Sequence, residues 1–432
     1  MKRLIHPAIS IDAAVSLPGS KYLANRLVII AALAREKVVL TNVVANDDID
    51  TAIKGLNKLG YRLVRNGSTV ESYPRLEYND VSADAANVYT SHSGTFSRFV
   101  TALAALESRP VNISGSNKMN SRPMEDLFTA LRTLGVSIDS RSDTLPAVIQ
   151  GPITHHRCQI KGQVSSQYVS ALLLIAPNLG YDFYIDVIGE KVSTQYIGLT
   201  IDLMRQFGAV IEPTESGFFI PKQNGYCGRE VSIAPDPVSS SYFLGAAAIC
   251  GGKITLQEFD KNSIQGEAKF YRILEQMGCE VELNQQSISL TRSQPLKAVD
   301  LDMGEMPDVV QTLAAVACFA EGTTVMKNIA HLAFKESNRI VDTAKELRKL
   351  GVPVEYGEDY LAVTGCLTNG SDIMLKGAVL ETHDDHRMAM SLSLIGTQVS
   401  GVIINSADVV SKSFPTYFDK LNELGIETSV VD

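Results

Sequence analysis

Two cations lie near the start of an apolar helix in the stretch LPGSKYLANRLVIIAALA, residues 17–34. Ser20 is a suitable N-cap for this helix, because its hydroxyl can accept a hydrogen bond from a first-turn backbone N–H. Lys21 follows at once and Arg26 lies in the second turn, although the positive end of the helix dipole disfavours cations there. Lys21 is therefore either a solvated surface charge or a residue that binds an anion together with the helix N-terminus.

Other polar and cationic residues share this placement beside the predicted starts of helices. Ser165 and Ser166 begin one such helix, and adjacent hydroxyls with free backbone N–H groups suit a phosphate. Arg122 precedes Pro123, which suits the first position of a helix. Each cation alone would be interpreted as a solvated charge, so the shared placement is what favours an anion-binding site. The group consists of Gly94, Arg98, Arg122, Ser165, Ser166, Gln167, Lys335, Arg339, Arg387 and Lys412.

Two carboxylates lie among these cations. Asp308 follows the sequence EMP at the start of an apolar helix, where an N-cap is the simple interpretation. Glu336 lies between Lys335 and Arg339, and it is either part of a surface ion pair worth under about 1 kcal/mol or a proton-transfer group. Helical spacing predicts that Glu336 and Arg339 share one face. Carboxylates surrounded by cations are expected to stay ionised.

The composition restricts the classes of function. The 432 residues, enough for two domains, carry a formal net charge of -9, with 45% apolar and 20% charged residues. This charge disfavours nucleic acid and anionic membranes as partners, and we expect a cytoplasmic protein without a signal peptide or membrane span. Six cysteines without CxxC spacing and seven histidines without an HExxH motif argue against a metal site and a disulfide framework.

A repeat runs through the whole chain, and its glycines lie 75, 73, 70, 73 and 74 residues apart. Six times a helical pattern ends in a large apolar residue and a glycine, which is a C′ signal, and a strand pattern follows. After the fifth copy the stretch VPVEYGEDYLAV predicts a β-hairpin with its turn at Gly-Glu-Asp. The pairs are Leu59-Gly60, Leu134-Gly135, Phe207-Gly208, Met277-Gly278, Leu350-Gly351 and Leu424-Gly425.

A second series of helices alternates with these pairs and completes the predicted architecture. Its members, such as residues 243–250 and 312–320, are apolar on all sides, so we expect them to be buried. The helices that end at the glycines, such as ESNRIVDTAKELRKLG, are amphipathic and should face solvent. We therefore predict an α/β fold of two domains, each with three βαβαββ repeats, buried helices and outer sheets.

Taken together, the motifs resemble those of the 5-enolpyruvylshikimate-3-phosphate (EPSP) synthase family. The resemblance implies an inside-out α/β barrel in two domains with a cleft between them. Residues 1–18 and 236–432 would form one domain, with Asp308, Glu336 and the phosphoenolpyruvate-side cations; residues 19–235 would form the other, with the 3-phosphoshikimate-side residues. The matching segments, in the family's order, are LPGSK-LANR, SGT--R, RPMEDL--AL--LG, VSSQYVSALLLIAP, MPDVVQTLAA-A-FAEGTT, KESNRI, DDHRMAM and KSFPTYF.

The resemblance also implies a reaction. The enolpyruvyl group of phosphoenolpyruvate is transferred to the 5-hydroxyl of 3-phosphoshikimate through a tetrahedral intermediate, and phosphate is released, on the shikimate pathway to chorismate and the aromatic amino acids. No metal or organic cofactor is implied, and we expect a monomer whose partners are these two small molecules. Phe96 and Phe99 replace other residues around the GT--R motif, so the response to glyphosate stays open.

Site residues carry over to this chain position by position. Lys21 would touch both substrates, Asp308 would accept the proton of the attacking hydroxyl, and Glu336 would handle protons at the methylene carbon. The residues implied for 3-phosphoshikimate are Lys21, Tyr22, Arg26, Ser165, Ser166, Gln167, Ser193, Asp308, His331 and Lys335. Those implied for phosphoenolpyruvate are Lys21, Gly94, Arg122, Gln167, Arg339, Arg387 and Lys412.

Three alternatives stay open. Enolpyruvyl transferases for UDP-amino sugars look similar in fold but usually carry a reactive cysteine in a glycine-rich loop, and no cysteine lies in SHSGTFSR or NSRPMEDL. A related transferase with another cyclic acceptor is suggested by Tyr22, where the family usually has serine; His331, in place of a frequent asparagine, is a second departure. A non-catalytic anion-binding protein would not need both Asp308 and Glu336.

We predict that Tyr22→Ser changes the affinity for 3-phosphoshikimate more than the affinity for phosphoenolpyruvate. A phenol is bulkier than a hydroxymethyl group but can still donate a hydrogen bond to a carboxylate. The two KM values of the variant and the wild type measure the effect. Equal changes in both would contradict the assignment of Tyr22 to the acceptor.

Overall fold

The computed structural model describes residues 1–75, 84–162, 165–189, 194–261, 263, 265–368 and 373–431. The chain forms two compact units, each of which is described by itself. The terminal unit comprises Met1–Pro18 and Ala234–Asp432, and the central unit comprises Gly19–Ile233. The chain passes from one unit to the other after residues 18 and 233, whereas the family resemblance places these points after residues 18 and 235.

Strands and helices alternate along both units. The strands are β1 (Lys2–Ile5), β2 (Ile11–Ser16), β3 (Val38–Thr41), β4 (Arg62–Asn66), β5 (Thr69–Tyr73), β6 (Ala86–Tyr89), β7 (Val111–Ser114), β8 (Ser137–Ser140), β9 (Ala147–Gln150), β10 (Arg157–Lys161), β11 (Phe183–Ile188), β12 (Glu212–Pro213), β13 (Gly217–Ile220), β14 (Glu230–Ser232), β15 (Gly252–Gln257), β16 (Glu280–Leu283), β17 (Ser287–Arg292), β18 (Leu296–Lys297), β19 (Asp300–Asp302), β20 (Ala320–Glu321), β21 (Thr323–Lys327), β22 (Val354–Tyr356), β23 (Tyr360–Thr364), β24 (Val379–Leu380), β25 (Val402–Ile404) and β26 (Thr428–Val431). The α-helices are α1 (Lys21–Leu33), α2 (Asp47–Lys58), α3 (Gly94–Ala104), α4 (Asn117–Asn120), α5 (Glu125–Thr133), α6 (Ser166–Ile175), α7 (Thr194–Gln206), α8 (Pro237–Cys250), α9 (Phe270–Gln276), α10 (Val310–Ala317), α11 (Arg339–Lys349), α12 (His386–Ser393) and α13 (Tyr417–Glu423). Short 3₁₀ helices cover Ala176–Asn178, Gly266–Lys269, Pro307–Val309, Ala330–Phe334, Leu394–Thr397 and Ala407–Lys412.

Six four-stranded sheets in the described residues share one pattern, in which a parallel pair is followed by two antiparallel neighbours. In the central unit the strand orders are β14-β3-β5-β4, β6-β7-β9-β8 and β10-β11-β13-β12. In the terminal unit they are β2-β15-β17-β16, β19-β21-β23-β22 and β24-β25-β1-β26. The sixfold repeat predicted from the sequence is therefore present, with three copies in each unit.

The N-terminal strands belong to sheets whose other strands come from the end of the chain. Strand β2 pairs in parallel with β15, and β1 lies antiparallel between β25 and β26. The central unit likewise completes its first sheet with the late strand β14, which runs parallel to β3. These pairings explain why the first residues of the chain lie in the same unit as the last.

The two series of helices differ in burial as predicted. Helices α1, α3 and α6 are buried along most of their length, and every residue of α8, α10 and α12 is buried. The alternate helices, such as α2 and α11, bury one face only and carry charged residues on the other. The prediction of an α/β fold with buried helices is confirmed.

The local chain-reversal signals are also confirmed. The glycine after each amphipathic helix has a positive φ, between 82° and 107°, as a C′ residue requires. Strands β22 and β23 form the predicted hairpin, with Gly357 N donating to the Tyr360 carbonyl across the turn. The glycines are Gly60, Gly135, Gly208, Gly278, Gly351 and Gly425.

Three predictions about helix starts need correction. Ser20 occupies the N-cap of α1, but its side chain makes no capping hydrogen bond. Pro123 does not begin a helix, because α5 starts at Glu125 with Met124 as N-cap. Glu336 lies before α11, whose N-cap is Asn338, so Glu336 and Arg339 do not share a helix face. In the part of the chain that the model describes, no helix is long and apolar enough to span a membrane.

We predict opposite stability effects for two glycine-to-alanine substitutions. Gly425 has φ 82° and open space around a new Cβ, so Gly425→Ala should destabilise by about 1 kcal/mol through backbone strain alone. Gly198 lies inside α7 with similar open space, so Gly198→Ala should stabilise by about 0.5–1 kcal/mol. Urea unfolding measures both, and changes of the same sign would contradict the argument.

Candidate active site

Asp308 is the carboxylate that joins the helix starts of the terminal unit. It lies in the 3₁₀ turn before α10 and is 7% exposed. Arg339 Nη1 donates to its Oδ1 at 2.8 Å, and Arg387 Nη2 donates to its Oδ2 at 3.2 Å. The interpretation of Asp308 as an N-cap is wrong, since Met306 holds that position and both Asp308 oxygens bind arginines.

Asp385 is a second buried carboxylate, which the sequence analysis did not select. It is the N-cap of α12 and accepts from Arg387 N at 2.9 Å. It also receives Arg339 Nε at 2.7 Å and Nη2 at 3.2 Å, so Arg339 is held by two carboxylates. Burial raises the pKa of Asp385, but the charge and hydrogen bonds of Arg339 together with the charge of His386 exceed this effect, so the pKa is lowered. The signal in the sequence was an acidic residue directly before an apolar helix.

Glu336 is part of a buried network and not of a surface ion pair. Its side chain is 14% exposed, with Oε1 at 2.7 Å from Lys412 Nζ and Oε2 at 3.0 Å from His386 Nδ1. Burial raises the pKa of this carboxyl, but His386 and Lys412 lower it more, so it lies well below its usual value. Glu336 is therefore ionised, as expected for a carboxylate among cations.

Lys335 and His331 are basic groups near Asp308 and Arg339, and the protein lowers the pKa of both, which disfavours their charged forms. Burial lowers the pKa of Lys335, with Asp308 opposing and Arg339 and Arg387 adding to the effect. Burial also lowers the pKa of His331, and Lys335 contributes to the same direction. Among the described residues, no carboxylate oxygen forms an ion pair with Lys335. A neutral imidazole and an unpaired ammonium group suit a ligand that brings its own negative charge.

Lys21 begins α1 of the central unit and is paired within the protein. Its Nζ lies 2.8 Å from Oδ2 of Asp48, a buried residue in the first turn of α2. The sequence analysis missed Asp48, which lies in an acidic helix start with no sign of its partner. This carboxylate offsets the unfavourable position of Lys21 on the α1 dipole.

Arg26 is a buried cation whose partners are neutral. It is 2% exposed, and it donates to Thr200 Oγ1 at 2.6 Å and to the carbonyls of Tyr22 at 2.9 Å and Tyr196 at 3.3 Å. Burial lowers the pKa of Arg26 to about 10. The ring of Tyr22 packs against that of Tyr196 with centroids 5.1 Å apart. Within the described ranges no carboxylate pairs with Arg26, which leaves its charge for an anion.

Gly94 makes room for two guanidinium groups at the start of α3. A Cβ at this position would lie 2.6 Å from Arg122 Nη1 and 2.8 Å from Arg98 Nη1. Arg98 also donates to the Gly94 carbonyl at 2.8 Å, and burial lowers its pKa to about 10. The described residues provide no carboxylate for Arg98 or Arg122, so this pair of like charges also favours an anion.

The start of α6 lies beside the start of α3 in the central unit. Ser165 caps the helix by accepting from Gln167 N at 3.2 Å, and Ser166 is buried. Gln167 Nε2 donates to Thr95 Oγ1 at 3.2 Å, which links the starts of α6 and α3. The predicted site residue Ser193 lies outside the described residues.

The candidate residues thus form two groups with different charge compensation. Lys21, Arg339, Arg387 and Lys412 are paired with carboxylates of their own unit. Arg26, Arg122 and Lys335 have no such partner in the part of the chain described. The charges of the first group are therefore compensated by the protein without a ligand.

Glu336, Asp385 and His386 are of metal-ligating types and have ligand atoms within 4.8 Å of one another. Both carboxylates, however, already bind cations, since Glu336 Oε1 lies 2.7 Å from Lys412 Nζ and Asp385 Oδ2 lies 2.7 Å from Arg339 Nε. A metal ion there would be repelled by two cations, so the arrangement favours ion pairs, and we assign no metal to these residues.

Comparison with known proteins agrees with the geometry. The model of the EPSP synthase (3-phosphoshikimate 1-carboxyvinyltransferase) family matches residues 5–421. A 3-phosphoshikimate 1-carboxyvinyltransferase of Aliivibrio salmonicida is 36% identical over 429 residues, which is 98% of this chain and 99% of the relative. One of Photobacterium profundum is 37% identical over 427 residues, 97% of this chain and 98% of the relative.

The fold is that of a solved structure as well. An EPSP synthase of Acinetobacter baumannii superposes with a TM-score of 0.84 at 24% identity and covers 99% of this chain and 100% of its own. The family match defines the class as a carboxyvinyl (enolpyruvyl) transferase, and the fold agrees with it through two units of repeated α/β structure. The chain belongs to the EPSP synthase family.

We predict that Asp385→Asn lowers the free energy of unfolding by about 3 kcal/mol at neutral pH, because it removes one partner of a buried ion pair. The folded-state pKa of Asp385 lies below its unfolded value. Its stabilisation is therefore present above about pH 4 and lost as the pH falls through the folded pKa.

The deficit of Asp385→Asn should thus shrink on acidification, as measured by chemical unfolding between neutral and acidic pH. The exposed neighbour Asp384 provides the control, since Asp384→Asn should follow the wild type at each pH. A deficit for Asp385→Asn that is the same at all pH values would contradict the electrostatic argument.

Proposed function

We propose that this chain transfers the enolpyruvyl group of phosphoenolpyruvate to the 5-hydroxyl of 3-phosphoshikimate and releases phosphate. The observation that carries the proposal is Asp308 held between Arg339 and Arg387, in a chain that matches the family from residue 5 to residue 421. Both substrates carry a phosphate and a carboxylate, so positioned cations and an acid-base pair are what the chemistry requires.

The central unit supplies groups suited to 3-phosphoshikimate. Ser165 and Ser166 at the start of α6 would bind its phosphate, because their hydroxyl groups and the positive end of the helix dipole attract anions there. Arg26 would bind its carboxylate, and the absence of a protein carboxylate beside this cation among the described residues supports that role. The remaining residues proposed for this substrate are Lys21, Tyr22, Gln167, Ser193, Asp308, His331 and Lys335.

Phosphoenolpyruvate would be bound mainly by arginines. Arg122 and the Gly94 backbone form one proposed contact, since the missing Cβ leaves the guanidinium group close to the start of α3. Arg339 and Arg387 present donors around Asp308, and Lys412 lies beside Glu336. Lys21 and Gln167 complete the proposed set.

Asp308 would accept the proton when the 5-hydroxyl attacks C2 of phosphoenolpyruvate. In the structure both of its oxygens accept hydrogen bonds from arginines, which stabilise the ionised form. An anionic substrate competes for the same guanidinium donors. When it binds them, Asp308 loses hydrogen bonds that favour its ionised form and becomes able to take up the proton.

Glu336 would move protons at C3 of phosphoenolpyruvate, which becomes a methyl group in the tetrahedral intermediate. In addition, Glu336 would pass to C3 a proton taken up from the phosphoenolpyruvate phosphate or from solvent, which leaves its carboxylate ionised. In elimination, the ionised Glu336 would remove one methyl proton as phosphate leaves, so that the double bond forms again, and the proton on Asp308 would leave with the phosphate. Lys21 would stabilise the phosphate that develops charge as it leaves.

The proposal includes action as a monomer in the cytoplasm. The cysteines are free, and thiols persist in a reducing compartment. A second candidate function is transfer to a different cyclic acceptor. The packed rings of Tyr22 and Tyr196 beside Arg26 favour it, because they shape the place where the acceptor carboxylate would bind.

Phosphate release from phosphoenolpyruvate, measured with and without 3-phosphoshikimate, tests the proposed function. We expect release that depends on 3-phosphoshikimate and stops when either substrate is exhausted. Binding of 3-phosphoshikimate without release would favour an anion-binding protein. Release only with another cyclohexene acid would favour the second candidate.

We predict that Asp308→Asn and Glu336→Gln each reduce turnover by about 10²-fold or more, since general acid-base catalysis contributes about 10²–10⁴-fold. Both variants should still bind 3-phosphoshikimate in calorimetric titration. Glu358→Gln, in the exposed turn between β22 and β23, is the matched control and should keep full activity. A catalytic variant that retains more than about a tenth of wild-type turnover would argue against its role.

A further inference from the structure

Each arginine that binds Asp308 has a second anchor elsewhere in the terminal unit. For Arg339 this anchor is Asp385, which accepts from Nε at 2.7 Å and from Nη2 at 3.2 Å. For Arg387 it is the hydroxyl of Tyr242, which accepts from Nη1 at 3.2 Å. The second anchor of Arg339 is therefore a charged group, whereas the Tyr242 anchor of Arg387 is a neutral group that acts beside the charge of the buried Asp236.

The ring of Tyr242 is fixed by its surroundings. Tyr242 lies on the buried helix α8 and is 1% exposed. Its ring meets that of Tyr417 edge-on, with centroids 5.7 Å apart. Burial raises the pKa of Tyr242 to about 12, and Arg387 opposes that shift, so the hydroxyl stays neutral around pH 7. Tyr242 therefore holds its hydroxyl at one position and in one protonation state.

Proton uptake by Asp308 affects the two arginines differently. When Asp308 carries the proton, its ion pairs with Arg339 and Arg387 weaken. Arg339 still has the carboxylate of Asp385, and Arg387 still has a hydrogen bond to a group that does not titrate near neutral pH. The anchors thus keep both guanidinium groups in place at the step in which negative charge develops on the substrate.

We propose that Tyr242 is a positioning residue, which holds Arg387 in the orientation that binds phosphoenolpyruvate while Asp308 takes up the proton. This assignment rests on the proposed function, because it concerns the arginine assigned to phosphoenolpyruvate. Because Tyr242 is 1% exposed, it would act through Arg387 and not by direct contact with the substrate. Its contribution would therefore appear in the affinity for phosphoenolpyruvate and hardly at all in the affinity for 3-phosphoshikimate.

The test compares two variants that each remove one buried hydroxyl. Tyr242→Phe removes the oxygen that accepts from Arg387, and every ring carbon remains. Tyr417→Phe is the matched control, because its ring belongs to the same cluster but its hydroxyl bonds to Ser393 Oγ and the Met390 carbonyl, both at 2.9 Å. Both variants lose buried hydrogen bonds, one at Tyr242 and two at Tyr417, so the control is expected to lose at least as much thermal stability as Tyr242→Phe.

Steady-state kinetics of phosphate release then separates positioning from general loosening. We expect Tyr242→Phe to raise the KM for phosphoenolpyruvate about fivefold or more, the range that one hydrogen bond to a charged group supports. Its KM for 3-phosphoshikimate should stay within about twofold of the wild type, and Tyr417→Phe should change neither KM by more than that. Kinetics are recorded at a temperature at which melting curves show all three proteins to be folded.

Several outcomes would overturn the proposal. Tyr242→Phe with an unchanged KM for phosphoenolpyruvate, or with equal increases for both substrates, would contradict positioning of Arg387. An equal effect of Tyr417→Phe would assign the change to loosening of the aromatic cluster. A wild-type chain that releases no phosphate would overturn the proposed function and the role of Tyr242 with it, whereas an active wild type with an unaffected Tyr242→Phe would overturn the role of Tyr242 alone.

Discussion

The starts of several helices in the terminal unit depend on one interaction, the buried ion pairs that the carboxylate of Asp308 forms with Arg339 and Arg387. Buried charges lose their hydration, and an ion pair compensates for this loss only when its hydrogen bonds are complete. One carboxylate cannot satisfy two guanidinium groups, so Asp385 and Tyr242 supply further acceptors. The starts of α8, α10, α11 and α12 must therefore lie close together, because each contributes to this network.

The repeated architecture places helix starts where such networks can form, and the two units use them differently. In the terminal unit, Asp236 and Asp385 cap α8 and α12, and Asp308 lies just before α10, so protein carboxylates already complement the dipoles. The first turns of α1, α3 and α6 in the central unit contain no acidic residue. The positive ends of these helix dipoles therefore remain available to external anions. The two units share the same arrangement of helices and strands, so the difference comes from the side chains at the helix starts.

Local signals in the sequence were sufficient for the repeat and for much of the fold. A glycine with positive φ or a hairpin turn depends on neighbours in the chain, so Gly351 and the β22–β23 hairpin could be predicted. The helix-face relation of Glu336 and Arg339 failed because Asn338 caps α11 and excludes Glu336 from it. The capping hydrogen bond of Asn338 sets where α11 begins, and the spacing of residues along the sequence does not reveal which residue will cap the helix.

Residues of the site could be predicted where a motif marked them, but their partners could not. Thr200 lies 174 residues from Arg26, and Tyr242 lies 145 residues from Arg387. In the sequence, Asp48 and Asp385 are ordinary acidic residues at helix starts. Only the folded structure shows that they pair with Lys21 and Arg339. Such pairings arise from tertiary packing of different helices, so no pattern within one helix or strand contains them.

The different charge compensation has a consequence for ligand binding. An anion that binds Arg26 or Arg122 meets a cation without a protein carboxylate in the described residues, so binding compensates a charge that the protein leaves unbalanced, and for Arg26 that charge is buried. An anion that binds Arg339 or Arg387 must instead compete with Asp308 for the same donors. Linkage is reciprocal, so the anion that draws the arginines away favours a proton on Asp308, and a proton on Asp308 frees the arginines for the anion. Substrate binding and activation of the proposed base would then be one coupled event, because both depend on the same two guanidinium groups.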